Sequence, residues 1–74
     1  MADYDRRRHL ARLIPVTPAL IDDPGTESQR EIIAKLRRAL RAEANRGRSG
    51  HWSYDLNRHI ALKQAYDAEK RQTR

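Results

Sequence analysis

The sequence predicts an all-α fold: a small helical domain built on an antiparallel helix hairpin, about 27–46 and 53–69, with a short N-terminal helix packing across it. Three observations carry this. Residues 25–47, GTESQREIIAKLRRALRAEANRG, show a helical pattern with start and stop signals and one apolar face. A glycine-bracketed connector, GRSG, ends that stretch and is short enough to return the chain antiparallel. No segment alternates apolar and polar residues as a half-buried strand would, and no repeat or heptad is sustained.

The first helix is expected over residues 4–14. Leu10, Leu13 and Ile14 share a face at i, i+3, i+4 spacing. Asp3 and Asp5 lie near its positive end, and Pro15 stops it by disfavouring a helical residue before it. Residues 16–25 form a connector with apolar anchors. Thr17-Pro18 reads as an N-cap followed by proline at the first helical position, so Ala19, Leu20 and Ile21 form a single turn. Asp22-Asp23-Pro24-Gly25 is a turn signal.

The second helix starts at Thr26 or Ser28. Thr26 with Gln29 and Ser28 with Glu31 both match a capping box, and Glu31 with Lys35 is a favourable i, i+4 pair. Ile32, Ile33, Leu36, Ala39, Leu40 and Ala44 make its apolar arc, and Gly47 is placed as its left-handed end. Ser53 is expected to cap the third helix, with Asp55 in its first turn. Its apolar residues point several ways: Leu56 with Ile60, Leu62 with Tyr66, and Ala61 with Ala65. Such a helix is contacted on several sides, by the N-terminal segment or by a second copy of the chain. The expected core is Leu10, Leu13, Ile14, Leu20, Ile32, Leu36, Leu40, Trp52, Leu56, Ile60 and Leu62.

Length and composition bound the rest. The 74 residues make one small domain, 1–74, with 1–3 and 70–74 frayed. With no cysteine, neither a disulfide nor a thiolate metal site can staple it. No apolar run approaches the roughly 20 residues that span a bilayer, and no apolar segment follows Arg6, Arg7 and Arg8 as a signal peptide requires. The expected location is the cytoplasm, with no membrane partner; a basic amphipathic helix on an anionic membrane is the weaker alternative.

The formal net charge is +6, and it is unevenly placed. Residues 1–25 carry four Arg and four Asp, whereas residues 26–50 carry seven bases and three acids. Arg30, Arg37, Arg38 and Arg41 form a ridge beside the apolar arc, which Arg46 and Arg48 continue into the connector. These six are the candidate phosphate-binding residues. Guanidinium groups along one helix face can contact the backbone of a nucleic acid, grip an acidic protein, or simply face water. No helix-turn-helix, zinc-finger, RNA-recognition or KH signature accompanies them.

Trp52, the one tryptophan in a chain without phenylalanine, reads first as a core plug or lid over the hairpin. Exposed, it would be a stacking platform for a base or a partner's side chain. Together with Leu62 and Tyr66 it makes the candidate interaction surface for a protein partner or homodimer.

Nothing points to catalysis, a metal or a cofactor. His9, His51 and His59 lack a metal-ligand spacing. Asp55 and His59, one turn apart, make an ordinary local pair, and Ser49 and Ser53 have local backbone roles. GRSG lacks the spacing of a phosphate loop. The expected function is a small basic, non-enzymatic helical binding module associating with nucleic acid through its arginine-rich face; the alternative is a protein-interaction module or homodimer using the third helix.

Overall fold

A computed structural model describes residues 5–72. Its helices are α1 (Arg6–Leu13), α2 (Pro18–Asp22), α3 (Thr26–Ser49) and α4 (Leu56–Gln72), and the described residues include no strand. The long α3 and α4 form the hairpin, and α1 packs across α4 with α2 bridging to α3. The hairpin is antiparallel. At one end Gln29 near the start of α3 donates to the Glu69 carbonyl near the end of α4, and at the other Glu43 meets Arg58.

Local chemistry sets the boundaries. Asp5 caps α1 by accepting from the Arg7 amide, while the Asp5 amide donates to Nδ1 of His9. The expected starting residue Tyr4 and the acid Asp3 lie outside the described residues. Thr17 caps α2 through the Leu20 amide, as the Thr-Pro pair predicts. At α3 neither capping box forms. Gly25 occupies the cap position without a side-chain bond, and Asp23 takes the polar work instead. Its carboxylate accepts from the Ser28 hydroxyl and the Gly25 amide, which hold its pKa below the usual value. The Glu31–Lys35 pair likewise does not close among the described ion pairs.

The end of α3 falls later than expected. Gly47 lies inside the helix, which runs through Ser49, and the left-handed residue is Gly50 at φ 67°. Gly47 is needed for close approach instead: a Cβ there would sit 2.9 Å from Cε1 of the Tyr54 ring. The cap of α4 is Asp55, not Ser53. Its Oδ1 accepts from the amides of Asn57 and Arg58. Ser53 turns back to His51, and α4 runs through Gln72. Residues 73 and 74 lie outside the described part of the chain.

The core is Leu10, Ile14, Ile32, Leu36, Leu62 and Ala65, with Leu13, Val16, Leu20, Ala39, Leu40 and Tyr66 packed around it. Leu62 is fully buried, so it belongs to the core and offers no surface to a partner. Three expected core residues are corrected. Trp52 is 90% exposed, Leu56 60% and Ile60 47%. Tyr54, two residues on, is the aromatic that packs inward here, with its ring close against Gly47. Leu56 and Ile60 lie about 120–160° round α4 from Leu62, beyond the reach of the two helices that meet at Leu62.

Two buried glutamates complete the interior, and neither was among the expected residues. At the connector end Glu43 accepts from Arg46 at 2.9 Å and from the Asp55 amide at 3.1 Å, with Arg58 at 3.3 Å. Arg58 also donates to the Leu13 carbonyl at the end of α1. At the opposite end Glu69 takes a two-pronged bond from Arg6, at 2.7 and 3.0 Å, and Arg6 reaches the Ile21 carbonyl. Each carboxylate is desolvated but doubly partnered, which is the condition under which a buried charge is tolerated. Among the described residues no buried side-chain N or O is left without a partner.

Candidate nucleic-acid interface

The six arginines read from the sequence do not share one fate. At 100° per residue, Arg30, Arg37, Arg41 and Arg48 fall within an arc of about 40° and span about 27 Å along the helix axis. They form a stripe because α3 continues past Gly47 and carries Arg48 on the helix. All four are exposed. Arg38 is also exposed but lies about 60° beyond Arg41, on the flank with Glu31. Arg46 turns inward and is committed to Glu43, so it leaves the candidate set.

The stripe runs along the seam between α3 and α4. Arg37 stands beside the hydroxyl of Tyr66, whose phenol pKa is lowered first by that guanidinium. The Lys70 ammonium lies 5.5 Å from the centre of the same ring. Tyr66 is thus half-buried between two cations and braces them. Arg48 bonds the side chain of Asn45, and a shallow depression beside it is lined by Ala44, Gly47, Tyr54 and His59. The Tyr54 hydroxyl lies 2.9 Å from Nδ1 of His59. That contact replaces the expected Asp55–His59 pair, since the Asp55 carboxylate caps the helix.

Among the described residues Arg30, Arg37, Arg41 and Arg48 form no ion pair with a carboxylate. Five other described bases are paired. Arg6, Arg46 and Arg58 hold buried glutamates, Arg7 pairs with Asp22, and Lys63 with Asp67. The α3 stripe therefore carries four positive charges that no carboxylate neutralises, although Arg37 meets the Tyr66 hydroxyl and Arg48 bonds Asn45.

Trp52 lies just past the end of the stripe. Its ring stacks on His51, with centroids 5.6 Å apart and planes 27° from parallel. His51 is itself held, because the Ser53 amide donates to its Nδ1 and the Ser53 hydroxyl lies 2.7 Å from the same atom.

Among the described residues no cluster of His, Asp and Glu could hold a metal ion, and no helix is long and apolar enough to cross a membrane. Comparison with protein-family models, with curated proteins and with solved structures finds no match to this chain.

Proposed function

We propose that this chain is a small non-enzymatic binding module that associates with nucleic acid through the α3 stripe. One observation carries the reading: four exposed arginines aligned over about 27 Å of helix, none of them ion-paired to a carboxylate among the described residues. Phosphate contacts of this kind neutralise backbone charge and release counterions, without reading sequence. Changing Arg37 and Arg41 together to Gln removes two charges from the centre of the stripe and keeps a good helix former at each position. In a salt titration of oligonucleotide binding, the slope of log affinity against log salt should fall by up to about 2 on duplex DNA. No wild-type binding at low salt, or an unchanged slope in the double variant, would sink the proposal.

A second reading rests on a different observation. Leu56 and Ile60 are exposed one turn apart on α4, with Trp52 at the turn before them. An apolar strip of this sort suits a protein partner or a second copy of the chain. Association through it is insensitive to salt, and sedimentation mass against concentration separates it from the first reading.

A further inference from the structure

The geometry points to unpaired, single-stranded nucleic acid as the ligand class, with a base stacked on Trp52 and the backbone following the α3 stripe. This rests on the nucleic-acid reading above and narrows it. Two features lead there. Trp52 is 90% exposed, yet its indole is braced by a ring that is itself hydrogen-bonded in place. An exposed aromatic held in one orientation loses little freedom when a second ring stacks on it. The platform also lies close to the end of the line of charge. Trp52 is four positions after Arg48, so their Cα atoms lie at most about 14 Å apart. A phosphate held by Arg48 and a base stacked on Trp52 then belong to the same nucleotide or to near neighbours. Bases within a duplex are already stacked on one another, and only an unpaired base presents a free face to an indole. A positive track with an aromatic platform beside it is the arrangement by which single strands are held without regard to sequence.

Trp52 is also the sole tryptophan, so its fluorescence reports this one position. The experiment titrates the full chain with a short oligothymidine strand and with the matching duplex, following indole emission and affinity. The single strand should quench the emission and bind tighter than the duplex. Trp52→Ala should weaken single-strand binding by roughly five- to a hundred-fold while leaving duplex binding and the salt slope unchanged. Trp52→Tyr should recover most of the loss. The substituted side chain is exposed, so the fold is retained, and circular dichroism checks that it is.

Salt-dependent binding that Arg37 and Arg41 control, with no quenching and no effect of Trp52→Ala, overturns this inference and leaves the parent reading standing. A self-association that Trp52→Ala abolishes, with no preference for single strands, assigns the indole to a protein contact and also overturns it. No binding to either nucleic acid removes both.

Discussion

Glu43 on α3 and Arg58 on α4 meet with 3.3 Å between Oε1 and Nε, and the pair fastens three elements at the connector end of the domain. The same arginine donates to the Leu13 carbonyl at the end of α1, and the same glutamate accepts from the Asp55 amide ahead of α4. Removing the carboxylate strands the Asp55 amide and frees two arginines at once. Glu43→Ala should cost on the order of 3 kcal/mol, a lowering of the thermal midpoint by well over 10 °C in a domain of this size. A midpoint within a few degrees of wild type would show that Glu43 is not a structural centre.

The same residue predicts a dependence on pH. The Glu43 pKa is lowered to about 2, chiefly by the hydrogen bonds from Arg46, with the Asp55 amide adding and burial opposing. A depressed carboxylate stabilises the fold above its unfolded value and loses that contribution as pH falls through the folded one. Stability should therefore decline between about pH 5 and pH 2. Glu43→Gln should flatten that decline, which denaturant midpoints measured across the range will show. Equal acid sensitivity in both proteins would place the titration elsewhere.

Two glycines give opposite tests. Gly50 has φ 67° and open space around its α-carbon, so Gly50→Ala carries a backbone cost of about 1–2 kcal/mol and no clash. Gly47 has helical backbone and is crowded by Tyr54. Alanine there gains up to about 1 kcal/mol of helix propensity but forces the Tyr54 ring aside, at a typical cost of 1–3 kcal/mol. Gly47→Ala should destabilise the wild type and stabilise a Tyr54→Ala background, a sign change readable in a double-mutant cycle.

The leucines of α4 should separate cleanly. Leu62→Ala opens a cavity at the centre of the core and should cost about 2–5 kcal/mol. Leu56→Ala alters a side chain that is 60% exposed and should change stability by less than about 0.5 kcal/mol. Comparable losses from the two would mean that Leu56 is covered in solution, as by a second copy, and the concentration dependence of unfolding would then reveal it.

The hairpin, the short helix across it and the turn at Thr17-Pro18 were legible because local rules decide them: an apolar arc, a proline, a cap. What was not legible depended on distant neighbours. Glu43 falls in the middle of the apolar arc with Ile32 and Leu36, and its burial follows from that position only once Arg58 and the Asp55 amide are known to converge there. Gly47 reads as a helix end because glycine commonly ends helices, whereas its reason is an aromatic ring seven residues ahead. A lone tryptophan in a chain without phenylalanine reads as interior, yet Trp52 stands exposed and it is Tyr54 that packs against α3. For the arginines, composition and spacing found the stripe but could not tell that Arg46 serves Glu43 and that Arg48 joins the line by helix extension.

The clamp between Arg6 and Glu69 joins residues 63 positions apart, whereas the hairpin closes through a connector of only six residues between Ser49 and Leu56. Loop-closure entropy therefore favours the hairpin first, and α1 with α2 docks late onto a surface already formed. Reversed, the cheapest sub-global opening is the lifting of residues 5–22, which breaks the Arg6 clamp and wets Leu62 while α3 stays wound. Amide protons of α1 should then exchange well ahead of those at the centre of α3. Two cooperative layers of unequal persistence are then expected, with the arginine stripe on the layer that survives the opening.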